Sequence, residues 1–203
     1  MAKTMDFYFD FGSPAAYLAW TQLPKIAADT GAQVAWKPML LGGVFQATGN
    51  RAPMTVPLKG SYLFVDLARF ALRYNVPLQF NPNFPINTLT LMRAAVGLQL
   101  RKDARFEDFC AAMFRAIWVD AQNMNDLAVV AAVLTHAGFD PQALLELSGE
   151  QIVKDELKAV TEAAVRRGVF GAPTFFVADQ MFWGQDRLDF VREALANQHE
   201  ETT

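Results

Sequence analysis

The sequence predicts an α/β fold in which a βαβ half and a ββα half are separated by a large all-helical insertion. Three observations predict it. An aromatic, alternating segment near the start runs through Gly12 into a helical pattern and then into a second β-rich segment. From Lys59 to about Arg167 the pattern is helical almost throughout. β character then returns at "APTFFVADQMFW", and one more helical pattern follows it.

Residues 5–11 set aromatic side chains around Asp6 and Asp10 and read as a buried strand. Ser13 followed by Pro14 is a preferred helix start, so residues 14–29 read as a helix. Pro24 bends that helix and Gly31 ends it. "QVAWKPMLL", residues 33–41, reads as a second strand stopped by Gly42 and Gly43. A strand, a helix and a strand in so short a span make a parallel, right-handed βαβ unit. The block that follows predicts helices at 60–74, 87–101, 104–118, 125–137, 141–147 and 150–167. An irregular stretch, "NVPLQFNPNFP", separates the first two, and Arg166–Arg167 reads as a solvated helix face. Residues 172–183 form a hairpin turning at Asp179–Gln180, Gly184 opens a last helix, and "HEETT" is a polar tail. With the block removed, this is the element order of a thioredoxin-like fold. The expected division is 1–50 with 168–203 as one domain and 51–167 as the inserted helical domain.

The composition narrows the function. With 203 residues, 52% hydrophobic and 19% charged, the chain can bury a sizeable core. A net charge of −3 with scattered cations carries no footprint for nucleic acid. The start lacks an apolar signal segment, and no apolar run approaches the ~18 residues of a membrane span, so the reading is a cytoplasmic protein. The one cysteine, Cys110, lies in "FEDFCAAMFRAIW" and reads as a buried thiol, which excludes a disulfide within the chain and a dithiol centre. His136 and His199 are the only imidazoles, so metal clusters and histidine triads are poorly supplied.

Taken alone, Ser13 is a helix cap. As a nucleophile it lacks a nearby base; it suits better the donation of a hydrogen bond to an anion at the helix N-terminus. Asp186 favours the start of the last helix, and Asn50, Arg51 and Lys59 read as solvated. Lys59 and Tyr62, three apart, share a helix face. "NPNFPINT" (81–88) is long and Pro-rich for a connector, which points to a binding loop with Phe84 and Asn87 lining a second-substrate pocket. Arg93 and Trp118 read as structural.

The segments "FDFGSPAAYLA", "ATGN" with "KGSYLFVDLARFA", "FPINTLTLMR", and "GVFGAPTFFV" with "FWGQDRL" occur in that order over nearly the whole chain. Through them the sequence resembles the 2-hydroxychromene-2-carboxylate isomerases and their kappa-class glutathione transferase relatives. These share a DsbA-like thioredoxin fold interrupted by a helical domain. Where redox members carry C-x-x-C, this chain has Ser13-Pro14-Ala15-Ala16 and cannot exchange dithiols.

The resemblance implies glutathione as cofactor, with Ser13 stabilising its thiolate. Moving a thiol pKa from roughly 8.5 down by about 1.5 units requires about 2 kcal/mol. A hydrogen bond to a charged group contributes ~1.5–3 kcal/mol and the helix end ~0.3–1 more, which suffices. It further implies a cis Pro173 facing the Ser13 turn, with the Ala172 backbone pairing with the cysteinyl unit and Gly171 and Thr174 completing the pattern. Trp183, Gly184, Gln185 and Asp186 hold the γ-glutamyl end. Asn50, Lys59 and Tyr62 reach the tripeptide, Lys59 at its glycyl carboxylate, while Arg51 serves an acidic substrate.

The implied activity is isomerisation of an aromatic carboxylate from aromatic catabolism, by thiolate addition, ring opening, bond rotation and elimination. A homodimer is what the relatives imply. The alternatives are a glutathione transferase of broader electrophile range, a redox-inactive thioredoxin-fold binding protein and, more remotely, a serine hydrolase. The loop "GGVFQATGNRAP", apolar up to Arg51, departs from the basic loop of isomerases acting on naphthalene-type substrates.

Overall fold

A four-stranded sheet in the order β2-β1-β3-β4 organises the computed structural model, which describes residues 3–197. His199 and the polar tail lie outside the described residues. β1 (Thr4–Phe9) runs parallel to β2 (Gln33–Pro38), and antiparallel to β3 (Thr174–Val177) with Phe7 opposite Phe175. β3 and β4 (Gln180–Trp183) form the hairpin, which turns through Ala178 and Asp179. One face of the sheet is aromatic because the side-chain period of two aligns Phe7 and Phe9, which stack at 5.1 Å. Trp36 meets both edge-on, and Phe175 stacks on Phe7 at 5.2 Å.

The expected helix over 14–29 is two helices, α1 (Pro14–Trp20) and α2 (Leu23–Thr30). Pro24 has no N–H to donate, and its ring collides with the carbonyl four residues back, that of Trp20. The first helix therefore stops at Trp20, and the second restarts with Pro24 in its first turn. Gly31, with φ 69°, ends α2 as expected.

A second correction concerns the glycine pair. β2 ends at Pro38, opposite the last residue of β1, and Leu41–Thr48 forms a helix, α3, that contains Gly42 and Gly43. Two glycines weaken a helix by roughly 1 kcal/mol each. Tertiary acceptors support the start: Thr161 Oγ1 takes the Leu40 N–H at 3.0 Å, and Asp10 Oδ2 takes that of Leu41 at 2.8 Å.

The helical block holds α4 (Pro57–Tyr74), α5 (Leu89–Leu100), α6 (Phe106–Trp118), α7 (Leu127–His136), α8 (Pro141–Gly149) and α9 (Gln151–Arg166). These are the expected helices, with ends moved by a few residues. At the end of the chain, Gln185–Arg187 is a tight 3-10 turn, and the last helix, α10 (Leu188–Asn197), starts after it. Arg167 is more than a solvated cation: it pairs with Asp6, donates to the Ala178 carbonyl and lies 3.7 Å over the Phe176 ring.

One apolar cluster runs from the sheet into the block through Phe9, Phe11, Phe109 and Phe114, each worth ~1.5–3 kcal/mol by burial. Cys110 is wholly buried in it, and burial pushes its thiol well above the ordinary value. Among the described residues no single helix is long and apolar enough to cross a membrane. The consequence for function is placement. The N-terminus of α1 emerges at the end of β1, beside the start of β3.

Candidate active site

The site is built on the turn Phe11-Gly12-Ser13, which other parts of the chain hold from several sides. Asp10, 2% exposed, accepts from the Gly12 N–H at 2.9 Å and the Thr88 hydroxyl at 2.7 Å on Oδ1. Its Oδ2 takes the Leu41 N–H, and its carbonyl takes the Ser13 N–H at 3.0 Å. Desolvation raises the Asp10 pKa, and these side-chain and backbone hydrogen bonds oppose the rise. From below, the Trp118 indole donates to the Phe11 carbonyl at 2.7 Å.

Ser13 is the N-cap of α1, with its Oγ accepting from the Ala16 N–H at 3.1 Å. Its hydroxyl donates to the Ala172 carbonyl at 3.0 Å, across 159 residues of sequence. The Ala172–Pro173 peptide is cis, as the resemblance implied, and a second cis bond, Phe84–Pro85, was not foreseen. Thr174 Oγ1 donates to the Gly171 carbonyl at 2.8 Å and stabilises the approach to this peptide. A Cβ at Gly171 would lie 2.6 Å from Trp183 Nε1, so only glycine lets the indole close over this loop. Trp183 itself is about half exposed and meets the Phe170 ring at 5.0 Å.

The turn after β4 is equally constrained. Gly184 has φ 109° and donates its N–H to the Pro173 carbonyl at 3.0 Å. Alanine there would be strained by that φ and would place Cβ 2.4 Å from Asp186 Oδ1. We expect Gly184→Ala to lower stability by about 1–3 kcal/mol in urea titration and to disturb this turn selectively. Asp186 pairs with Arg187 at 2.7 Å. The Gln185 side chain is buried and makes no hydrogen bond among the described residues.

Tyr74 of α4 donates to the Gln185 carbonyl at 2.6 Å, tying the helical block to this turn. Burial, with help from Asp189 and Asp186, pushes the Tyr74 hydroxyl up from 10.0 to about 12. Its contribution to stability is therefore complete below pH 10 and lost as the pH rises through 12. Tyr74→Phe should cost about 1 kcal/mol at pH 7 and remove Tyr74's share of the alkaline loss, leaving that of Tyr17, whose hydroxyl burial also pushes up to about 12, as measured by denaturation at several pH values.

Asn50 donates to the Phe170 carbonyl at 2.8 Å and brings the loop after α3 to the loop before Pro173. Lys59 and Tyr62 project from the first turns of α4 into solvent. Arg51 is exposed as well, and neither its guanidinium nor the Lys59 ammonium meets a carboxylate among the described residues. Phe84 is half-buried between Phe80 and the Trp118 ring, at 6.2 and 5.8 Å. Asn87 is exposed; its Oδ1 accepts the Leu89 N–H at 3.2 Å, and its backbone N–H donates to Asn125 Oδ1. The 81–88 loop still borders the turn, since Thr88 Cγ2 lies 3.4 Å from where a Gly12 Cβ would sit.

Asp10, Thr88 and Tyr74 were not among the residues singled out from sequence. A carboxylate embedded in a buried aromatic strand was the available signal, since such a group must find donors. Its partner Thr88 lies 78 positions away and has no local signature.

The geometry can be set beside known proteins. The family model for the DSBA-like thioredoxin domain matches residues 4–196. A 2-hydroxychromene-2-carboxylate isomerase of Sphingobium xenophagum is 37% identical over 200 residues, covering 96% of this chain and 99% of that protein. Glutathione S-transferase kappa 1 of Homo sapiens is 26% identical, covering 96% of this chain and 92% of that protein. A solved 2-hydroxychromene-2-carboxylate isomerase structure superposes with a TM-score of 0.83 at 32% identity, over 98% of this chain and 99% of that one. With most of its length matched on both counts, the chain belongs to the DSBA-like thioredoxin family and, within it, to the family of 2-hydroxychromene-2-carboxylate isomerases.

Proposed function

We propose that this enzyme is a glutathione-dependent isomerase of an aromatic hydroxychromene-type carboxylate. The observation that carries the reading is Ser13, a hydroxyl at a helix N-terminus, 3.0 Å from the Ala172 carbonyl and with no cysteine in its turn. The donor set fits glutathione chemically. The half-buried Ala172 offers an N–H not used by the sheet and a carbonyl whose partner is the Ser13 hydroxyl. Lys59 and Asn50 suit the glycyl end, and Gln185 with Asp186 suit the γ-glutamyl end.

When bound, glutathione supplies a thiolate that adds to the conjugated substrate and is eliminated at the end. The protein's part is electrostatic. With a ligand amide on the Ala172 carbonyl, the Ser13 hydroxyl would be released to donate its proton to the thiolate instead. The N-terminus of α1 adds to the same effect. The half-buried Phe84 ring, backed by the buried Trp118, offers an aromatic surface, and Arg51 a cation for the substrate carboxylate.

The apolar character of α3 favours a second reading, a transferase of broader electrophile range. A glutathione titration by calorimetry, followed by turnover of 2-hydroxychromene-2-carboxylate and of a chloro-nitrobenzene, separates the cases. Chromene turnover dependent on glutathione supports the isomerase. Conjugation alone supports the transferase, and no binding of glutathione sinks both.

A further inference from the structure

A groove between α3, α5 and α9 forms an open cavity of about 670 Å³ lined by neither Ser13 nor Ala172. That volume lies within the range that takes small organic ligands. Its floor is apolar, with Leu40, Leu89, Leu157 and Val165. Its polar lining is unusual for a chain of net charge −3: Arg93, Lys154, Lys158 and Arg166 face a single carboxylate, Glu162. Glu162 is shared at 3.8 and 3.9 Å by Lys158 and Arg166 on the exposed rim.

Arg93 and Lys154 are the informative pair. Both are half-buried, and neither meets a carboxylate or any other hydrogen-bond partner among the described residues. Nor does helix position explain them. Arg93 is the fifth residue of α5 and Lys154 the fourth of α9, near the positive ends of helices that carry no acidic residue in their first turns. Cations there are disfavoured by the helix dipole. Of the carboxylates beside α9's start, Glu150 is engaged at 2.7 Å by Arg101, and Asp155 accepts from the Gln151 amide at 2.8 Å. Two under-compensated cations over an apolar floor leave one complementary occupant, an anion with an apolar body.

We infer that this groove is a second binding site, for a small organic carboxylate with an apolar body, its carboxylate held between Arg93 and Lys154. The inference does not depend on the glutathione reading, because its readout is equilibrium binding. The probes are 1-naphthoate, acetate as charge without body, and 1-naphthalenemethanol as body without charge. They are titrated calorimetrically into the full chain at low ionic strength, where charge complementarity is least screened.

Naphthoate should bind, with the two controls at least about tenfold weaker. Arg93→Met and Lys154→Met should each weaken naphthoate by about tenfold or more while leaving glutathione affinity and melting temperature near wild type. Ser13→Ala should leave naphthoate binding unchanged. Undiminished naphthoate binding in both methionine variants would overturn the site, and acetate binding as tightly as naphthoate would overturn the ligand class. A change in sedimentation of Arg93→Met without a change in naphthoate affinity would assign the groove to self-association instead. Failure of glutathione to bind would count against the proposed function and leave these outcomes readable.

Discussion

Replacing Ser13 with alanine is expected to leave a folded protein that has lost most of its turnover at neutral pH and regains it as the pH is raised. The structural loss is bounded. Alanine removes the cap on the Ala16 N–H and the hydrogen bond to the Ala172 carbonyl, each worth about 1 kcal/mol. The loss for chemistry is larger relative to its margin. A hydroxyl donating to a thiolate contributes ~1.5–3 kcal/mol, which is a shift of ~1–2 pKa units. At pH 7 the ionised fraction, and with it turnover, should fall about 5- to 50-fold. Glutathione affinity should change little, because the Ala172 backbone, Asn50, Lys59 and the 184–186 turn remain. The discriminating measurement is a pH–rate profile of Ser13→Ala beside wild type. An apparent pKa raised by ~1–2 units supports thiolate stabilisation. Turnover equal to wild type at pH 7 would defeat the role, and a loss that no pH restores would assign Ser13 to shaping the turn.

What the sequence disclosed follows from how local each cause is. The strand–turn–helix at Ser13, the αL end at Gly31 and the hairpin after Pro173 depend on a few adjacent residues, and they were legible. The helices of the insertion were legible through their apolar period. α3 was not, because its glycines speak against a helix, and the acceptors for its first N–H groups come from Asp10 and Thr161, 31 and 121 positions away. Asn87 shows the same limit in reverse: its loop suggested ligand binding, while its side-chain oxygen is taken by the first N–H of α5 and its backbone N–H by Asn125. Candidate residues near the turn were legible only through a family pattern. The buried network that holds the turn was not, since it joins positions with no common motif.

That network sets the second large effect. Asp10→Asn is expected to destabilise the protein at pH 7 and to reduce turnover without a matching loss of glutathione affinity. All the groups facing the carboxylate are donors: Gly12 N–H and the Thr88 hydroxyl at Oδ1, and Leu41 N–H at Oδ2. An amide offers one acceptor, so its NH₂ must face at least one N–H. A buried donor left unsatisfied costs about 1–3 kcal/mol. Against this, the neutral amide escapes the desolvation that raises the Asp10 pKa.

The two effects oppose each other, and pH separates them. With a folded pKa above the ordinary 3.8, the native state holds this proton to a higher pH than the unfolded chain does. The stability this supplies is complete below 3.8 and lost as the pH rises through the folded value. The advantage of wild type over Asp10→Asn should therefore be greatest in acid and narrow on that rise, settling at about 1–2 kcal/mol at pH 7 because the lost donor outweighs the remaining desolvation. Urea titrations of both proteins from pH 3.5 to 8 read this difference directly. If Asp10→Asn is as stable as wild type at pH 7, desolvation wins and the carboxylate is held there at a net loss. Even then, a lower kcat with unchanged glutathione affinity would show that the Asp10 side chain positions the turn that carries Ser13.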